Sequence, residues 1–264
     1  MATTPIFKSW VTCPKPNSQA KLRLFCFPYV GASSLIFRTW SDSLPATIEV
    51  CPIKLPGRGT RFKEAPFNRL EPLVQAIACA LKPHLDKPFA FFGHSMGGLV
   101  CFEVTRLLRR HGIIPLHLFI SGRQAPQIPY LKQSIHTLPE PEFLLELCRL
   151  NGTPKAVLEN AELMQLFLPV LRADFSVLET YVYAQEPPLE CPITAFGGLQ
   201  DPEVNCEELE AWRQQTSSYF SLKMFRGDHF FIHSAQTLLL QSLSQQLHMQ
   251  FSEEHLAVCS RNHH

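Results

Sequence analysis

The chain has 264 residues, of which 45% are hydrophobic and 18% charged, and its formal net charge is +1. A chain of this length and apolar content can bury a large single core, so neither disulfides nor a structural metal is required. The near-zero charge argues against a nucleic-acid-binding protein, because such proteins neutralise phosphates with an excess of lysine and arginine. The 20 phenylalanines exclude a disordered chain.

The nine cysteines are widely spaced and form no C-x-x-C motif. Most of them lie in apolar runs, where cysteine behaves as a small hydrophobic residue, so we expect reduced thiols in a cytoplasmic protein. The first residues lack the apolar stretch and the cleavage pattern of a secretory signal. No apolar run reaches the roughly 18 residues that a membrane-spanning helix needs, so we expect no membrane span.

Short apolar runs rich in phenylalanine, isoleucine, valine and cysteine alternate with amphipathic stretches. The apolar runs predict strands and the amphipathic stretches predict helices. In chain order the predicted elements are strands Leu22–Phe27 and Ile48–Ile53, helix Leu70–Leu85, strand Phe89–Phe92, helix Gly98–His111, strands Leu116–Ile120, Ile193–Phe196 and Phe220–Phe225, and helix Ile232–Met249. This alternation predicts a single α/β domain over residues 1–264, with an open, mostly parallel sheet flanked by helices.

One connection is much longer than a crossover helix requires. Residues 122–190 show no convincing strand, but contain helical patterns at Glu140–Leu150, Ala161–Leu171 and Ala173–Tyr183. We predict that they form a helical insertion that acts as a lid over an acyl-binding site. The alternative is that these helices only extend the core.

The most informative motif is Gly93-His94-Ser95-Met96-Gly97, which follows a predicted strand and precedes a predicted helix. This context is typical of the G-x-S-x-G nucleophile elbow. A serine on such a sharp turn has a strained backbone, and side chains at the two glycine positions would collide with neighbouring backbone. Ser95 is therefore the candidate nucleophile. The Met96 N–H, at the start of the helix, is a candidate donor to an oxyanion.

A serine hydroxyl needs a base, and the base needs an orienting acid. After a nucleophile elbow the expected chain order is serine, then aspartate or glutamate, then histidine. Asp201 follows a strand and two glycines, and His229 follows the last strand, so both are predicted at the same sheet edge as Ser95. We expect Asp201 to be the acid and His229 to be the base.

Other residues compete for these two roles. His233 is the main alternative base, because it lies one helical turn after His229. His94 lies inside the elbow, where its side chain is expected to point away from the nucleophile. Asp228 adjoins the base in sequence and cannot easily reach its Nδ1, and Asp174 falls in the predicted lid.

A second oxyanion donor is expected from the loop that follows the first strand, Phe27–Ser34. We assign this role to the Val30 N–H, with Tyr29 as the weaker candidate. The non-catalytic alternative is a plain strand-to-helix turn. Loss of one such donor typically raises a barrier by about 3 kcal/mol.

With these residues, the chain resembles the type II thioesterases, stand-alone α/β-hydrolases that serve non-ribosomal peptide, polyketide and fatty-acid synthases. The resemblance runs from about Leu22 to the last helix. It depends on the motifs Phe27-Pro-Tyr29, Leu55-Pro-Gly-Arg58, Phe91-Phe-Gly-His-Ser-Met-Gly-Gly98, Leu171-Arg-Ala-Asp174, Gly197-Gly198 with Asp201, and Asp228-His-Phe-Phe231. Two positions depart from the family pattern: Val30-Gly31-Ala32 replaces a small residue and two glycines, and Gly59 replaces an acidic residue.

The resemblance implies an α/β-hydrolase fold in which residues 122–190 form a mobile lid. It implies that Ser95, Asp201 and His229 are the catalytic triad, and that Met96 and Val30 form the oxyanion hole. The implied reaction hydrolyses acyl groups from the phosphopantetheine arm of a carrier protein through an acyl-serine, to edit stalled or misprimed chains or to release product. This chemistry needs no cofactor and no metal, and we expect a monomer.

The implied partner is an acyl or peptidyl carrier domain of a synthase, and such domains are usually acidic. Arg58, Arg61 and Lys63 are therefore candidate contacts, and the alternative is a solvated basic cluster without a partner. Two other function classes stay open: a serine esterase or lipase that acts on free small esters, and a non-catalytic binding module with a hydrolase fold.

Overall fold

The computed structural model describes residues 10–129, 133–153 and 155–261. Its centre is a sheet of six strands: β1 (Leu22–Phe27), β2 (Ile48–Pro52), β3 (Phe89–His94), β4 (His117–Ser121), β5 (Ile193–Gly198) and β6 (Phe220–Phe225). These strands lie in the order β2-β1-β3-β4-β5-β6, and every neighbouring pair is parallel. The predicted α/β architecture with a mostly parallel sheet is confirmed.

Helices cover both faces of this sheet. Those of the described residues are α1 (Trp40–Ser43), α2 (Leu70–Leu81), α3 (Met96–Arg109), α4 (Glu140–Leu150), α5 (Lys155–Leu158), α6 (Ala161–Glu179), α7 (Cys206–Glu210), α8 (Phe231–Ser234) and α9 (Gln236–Arg261). One face packs against α2 and α3, and the other packs against α1 and α9. Across the described ranges, none of these helices is both long and apolar enough to cross a lipid bilayer.

Successive side chains of each strand point to opposite faces, and both faces are buried. In β1, Phe25 and Phe27 pack on the α2 and α3 side, whereas Leu24 and Cys26 pack on the α9 side. Burial of each large apolar side chain contributes about 2 kcal/mol relative to leaving it in water. Because both faces are covered, the strands have the nearly continuous apolar sequences from which they were predicted.

Among the predicted helix ends that differ from the structure, two have a clear physical reason. The α-helix predicted to reach Leu85 ends at Leu81 and continues as a 3₁₀ turn over Lys82–His84, because Pro83 has no N–H to donate to an α-helical carbonyl four residues earlier. The helix predicted to begin at Gly98 begins at Met96, since the turn at Ser95 is sharp enough for the helix to start directly after it.

Residues 122–190 contain α4, α5 and α6. The two helices predicted between residues 161 and 183 are a single helix, α6, because apolar side chains continue at helical spacing through Leu168, Leu171 and Phe175. Buried residues of α4 and α6 form a small core of their own, while the C-terminal part of α6 packs against the main core. A lid function for this region stays a prediction.

Candidate active site

The turn between β3 and α3 holds Ser95 in a strained backbone conformation. Its φ of 52° and ψ of −113° lie outside the regions that residues with side chains favour. The turn is so tight that a Cβ atom at Gly93 would lie 2.1 Å from the Gly97 carbonyl oxygen. A Cβ atom at Gly97 would lie 2.1 Å from the Phe27 carbonyl oxygen. The two flanking glycines of the motif are therefore required by space.

The start of α3 offers N–H groups beside this serine. Met96 is the first residue of α3, and an N–H at that position has no preceding helical turn to bond. The helix dipole adds partial positive charge at the same end. Negative charge that develops next to the Ser95 hydroxyl would be stabilised here.

The loops that leave β5 and β6 meet through close backbone contacts. The Gln200 N–H donates to the Gly227 carbonyl oxygen at 3.0 Å, and the Gly227 N–H donates to Gln200 Oε1 at 2.7 Å. A Cβ atom at Gly198 would lie 2.4 Å from the Asp228 carbonyl oxygen, so this approach requires glycine. This contact places the predicted acid, Asp201, next to the predicted base, His229.

His229 Nδ1 donates a hydrogen bond to Asp201 Oδ2 at 2.8 Å. The Asp201 side chain is fully buried, and its other oxygen accepts the backbone N–H groups of Glu203 and Val204 at 2.8 and 3.2 Å. A carboxylate fixed in this way keeps the proton of the imidazole on Nδ1 and leaves Nε2 as its proton acceptor. His229 and Ser95 line the same cavity.

His233, the alternative base, has a different partner. Its Nε2 is hydrogen-bonded to the Tyr29 hydroxyl at 2.9 Å, and the two rings pack edge to face. Partial burial lowers the pKa of His233 below its ordinary value. Asp228, the alternative acid, accepts the Phe230 N–H at 2.9 Å. The geometry therefore favours His229 as the base.

His94 is fully buried beneath the base. Its Nδ1 lies 2.8 Å from Ser121 Oγ, and its ring centroid lies 5.3 Å from that of His229. Burial holds the pKa of His94 well below its ordinary value, and the neighbouring histidines lower it further. A neutral His94 packs under His229 without adding positive charge beside the imidazolium that a base becomes.

The loop after β1 makes a tight turn over Tyr29–Ala32. The last N–H of this turn donates to its first carbonyl oxygen at 3.0 Å, and Gly31 has a φ of 73°, as in a type II β-turn. The Gly31 N–H already donates to Asp174 Oδ2 at 2.8 Å, so it is not available to an oxyanion. Val30 lines the cavity, and its N–H as the second oxyanion donor stays a prediction.

The cavity beside Ser95 has a volume of about 450 Å³. Apolar side chains of α4 and α6 form much of its wall: Leu147, Leu150, Leu171, Phe175 and Leu178. Such a wall suits the hydrocarbon part of an acyl group, because both surfaces leave water on binding.

Helix α4 reaches both loops that carry the acid and the base. Arg149 forms an ion pair of 2.9 Å with Glu203, two residues after Asp201. A Cβ atom at Gly152, just beyond α4, would lie 2.6 Å from the Phe230 ring. The position of α4 is thus tied to the residues that surround the acid–base pair.

Two of the three basic residues predicted to contact a partner are buried. Arg58 is 5% exposed and forms a bidentate ion pair with Asp174 at 2.6 and 2.7 Å. Arg61 is also 5% exposed, binds a neighbouring glutamate and stacks on Trp10, 3.8 Å from the ring centroid. The prediction is wrong for both, because a buried guanidinium requires fixed partners in place of water. Lys63 is exposed and stays a candidate contact.

One group of possible metal ligands occurs in the described residues, at β2. It consists of Cys13, Glu49 and Cys51. The Glu49 carboxylate already accepts Arg23 Nε at 2.9 Å, and none of the three residues lines the cavity. That the protein needs no cofactor or metal stays a prediction.

Comparisons with known proteins identify the family. A family model described as "Thioesterase domain" matches residues 22–247. The gramicidin S biosynthesis protein GrsT of Aneurinibacillus migulanus is 48% identical over 241 residues, which are 91% of this chain and 94% of that protein. The medium-chain S-acyl fatty acid synthase thioesterase of Rattus norvegicus is 33% identical over 241 residues, covering 88% of this chain and 89% of that protein.

A solved structure has the same architecture. The type II thioesterase BorB from the borrelidin biosynthetic cluster superposes with a TM-score of 0.84 at 32% identity, covering 91% of this chain and 98% of that chain. The α/β-hydrolase fold that the sequence predicted is confirmed. The chain therefore belongs to the thioesterase family, enzymes that hydrolyse thioesters, and within it resembles the type II enzymes.

Proposed function

We propose that this enzyme hydrolyses acyl thioesters carried on the phosphopantetheine arm of carrier domains in a non-ribosomal peptide or polyketide synthase. The observation that carries the proposal is the 2.8 Å hydrogen bond between Asp201 and His229 at a cavity that Ser95 also lines. A fixed acid–base pair beside a strained serine is the arrangement that serine hydrolases use for acyl transfer.

In the first step, His229 Nε2 takes the proton of the Ser95 hydroxyl as Oγ attacks the thioester carbonyl carbon. The negative charge on the carbonyl oxygen is stabilised by the N–H groups of Met96 and Val30. The carbon–sulfur bond then breaks, and the departing thiolate receives the proton from His229. The product is an acyl-Ser95 and a free phosphopantetheine thiol.

In the second step, water replaces serine as the nucleophile. His229 removes a proton from the water as it attacks the acyl-Ser95 carbonyl. The bond between the carbonyl carbon and Ser95 Oγ then breaks, His229 returns the proton to Oγ, and the carboxylic acid leaves. Asp201 orients the imidazole and stabilises its charged form throughout. The mechanism uses only side chains and backbone N–H groups of this chain, so it requires no cofactor.

The relatives support the choice of synthase. The relative from gramicidin S biosynthesis is 48% identical, whereas the fatty acid synthase thioesterase is 33% identical. We therefore infer a peptidyl or acyl carrier domain of a peptide or polyketide synthase as the partner, and hydrolytic removal of its acyl group, for editing or for product release, as the task. The predicted monomeric state and cytoplasmic location stay predictions.

The proposal is tested by comparing kcat/KM for one acyl group in two forms. The first form is the acyl-phosphopantetheinyl carrier domain of a peptide synthetase, and the second is the free p-nitrophenyl ester. We expect at least about tenfold preference for the carrier thioester. Ser95→Ala should lower both rates by on the order of 10³-fold or more, because the acyl-enzyme cannot form.

Two results would contradict the proposal in different ways. A preference for the free ester would favour the esterase alternative. Failure of a fluorophosphonate probe to label Ser95 in the folded protein would favour a binding module, since an active serine hydrolase reacts with such probes.

A further inference from the structure

A buried ion pair lies behind the turn that carries Val30. Asp174 of α6 is 3% exposed and Arg58 is 5% exposed. Arg58 Nη1 and Nη2 donate to the two carboxylate oxygens at 2.6 and 2.7 Å. The same carboxylate accepts the Gly31 N–H at 2.8 Å, so a third hydrogen bond joins the pair to the turn.

We propose that Asp174, held by Arg58, is a positioning residue that fixes the Tyr29–Ala32 turn for oxyanion binding. Asp174 bonds the peptide that joins Val30 to Gly31, and by fixing this peptide it holds the backbone of Val30, whose N–H lies in the preceding peptide. The inference rests on the proposed function, because it requires a tetrahedral intermediate on Ser95.

The hydrogen bond to Gly31 stabilises one of two orientations of a peptide group. The central peptide of a type II turn is rotated by about 180° relative to that of a type I turn. In this turn the N–H of that peptide belongs to Gly31, whose φ is 73°. A carboxylate acceptor stabilises the observed orientation, whereas a flipped peptide would direct the Val30 carbonyl oxygen at the negatively charged Asp174.

Arg58 also contacts the turn at Ala32, and its positive charge balances the negative charge of Asp174. Its Nε donates to the Pro56 carbonyl oxygen at 3.2 Å, and its Nη1 lies 3.5 Å from the Ala32 carbonyl oxygen. An unneutralised carboxylate so near the turn would oppose the negative charge that develops on the substrate oxygen. The two hydrogen bonds from Arg58 neutralise the Asp174 carboxylate, and the carboxylate still accepts the Gly31 N–H.

Helix α6 connects this support to the acyl pocket. Leu171 and Phe175 lie on either side of Asp174 along the helix, and both line the cavity. Leu171 Cδ2 lies 2.7 Å from the place that a Cβ atom at Gly31 would occupy. The helix that forms the pocket wall therefore also holds the turn.

The test must separate an effect on the position of the Tyr29–Ala32 turn from an effect on the stability of the folded protein. In Arg58→Met/Asp174→Leu an apolar pair replaces the buried ion pair, a change that is often neutral or stabilising in proteins. Asp174→Asn keeps the shape of the side chain and removes its charge. Arg61→Met/Glu64→Leu is the matched control, because it removes a second buried-arginine pair of the same loop, bonded to Glu64 and to the Lys54 carbonyl oxygen.

The measurements are kcat and KM on the carrier thioester, the melting temperature, and inhibition by a trifluoromethyl ketone that gives a tetrahedral adduct with Ser95. Activities are referred to folded protein measured by circular dichroism, so that a partly unfolded variant still gives a value. We expect Arg58→Met/Asp174→Leu, which has no acceptor for the Gly31 N–H, to lower kcat on the order of 10²-fold. Asp174→Asn keeps an amide oxygen and should lose less, and KM should stay within about threefold in both variants. Inhibition by the ketone should weaken by a similar factor, and the control should keep its kcat.

A wild-type kcat per folded molecule in the variants at Asp174 would overturn the inference, as would equal loss in the control pair. A low melting temperature with unchanged kcat would also overturn it, because that is the behaviour of a purely structural ion pair. Failure of the proposed function gives another result: Ser95→Ala would retain activity, and both proposals would be wrong together.

Discussion

The hydroxyl of Tyr29 is hydrogen-bonded to Nε2 of His233 at 2.9 Å, which ties α8 to the turn after β1. His229, four residues earlier, is instead bonded to Asp201. A base needs an acid at Nδ1 and an Nε2 that can accept the serine proton. Among the described residues, His229 has a carboxylate at Nδ1, whereas Nε2 of His233 is bonded to Tyr29.

His229→Ala is expected to lower kcat on a carrier thioester by at least about 10³-fold, because no group is left to take the serine proton. His233→Ala is the matched control, and we expect less than about tenfold loss, since it removes only the bond to Tyr29. Steady-state kinetics with both variants provide the check. The reverse order of effects would mean that the base is misassigned.

Asp201→Asn is expected to lower kcat by about 10³- to 10⁴-fold. The amide can donate to Nδ1, which would move the imidazole proton to Nε2 and remove the acceptor that faces the serine. Asp228→Asn serves as the control, because Asp228 accepts a backbone N–H of Phe230. Similar losses in the two variants, measured as kcat at neutral pH, would argue against Asp201 as the acid.

The sheet and the acid–base pair could be predicted because each has a local sequence signal. Strands buried on both faces must be continuously apolar, and the elbow must carry glycine on both sides of Ser95. Asp201 and His229 each follow a strand and a glycine, so their meeting at one sheet edge follows from the parallel order of the strands.

The ion pair between Arg58 and Asp174 had no such signal. The two residues are separated by 116 positions, and an arginine in a polar loop is ordinarily exposed. Its burial depends on where α6 crosses the loop, which is a property of tertiary packing. For the same reason the sequence did not show that the Gly31 N–H donates a hydrogen bond to Asp174.

Gly97→Ala is expected to destabilise the fold by about 3 kcal/mol, because the new Cβ would lie 2.1 Å from the Phe27 carbonyl oxygen. The gain in helix propensity, about 1 kcal/mol, is too small to compensate. Gly112→Ala is the control: its Cβ meets nothing within 4 Å, and only its φ of 73° adds strain. Urea unfolding should show the larger loss for Gly97→Ala, and equal losses would mean that the elbow can relax.

His117 makes the stability of the fold depend on pH. Its side chain is fully buried, its Nε2 is bonded to Thr194 Oγ1 at 2.8 Å, and its Nδ1 has no hydrogen-bond partner among the described residues. Burial lowers the pKa of His117 to about 3. In the unfolded chain a histidine binds a proton below about pH 6.5, so the unfolded state binds more protons between these two values.

The contribution of the neutral His117 to the free energy of unfolding is therefore at its maximum above about pH 6.5 and is lost as the pH falls toward 3. Between pH 7 and pH 5 this group should reduce the free energy of unfolding by about 2 kcal/mol. His117→Gln should remove that part of the pH dependence, and His111→Gln, at an exposed position, should leave it unchanged. Urea unfolding at both pH values measures the difference. If His117→Gln and the wild type lose equal stability on acidification, the buried imidazole titrates normally in the folded protein.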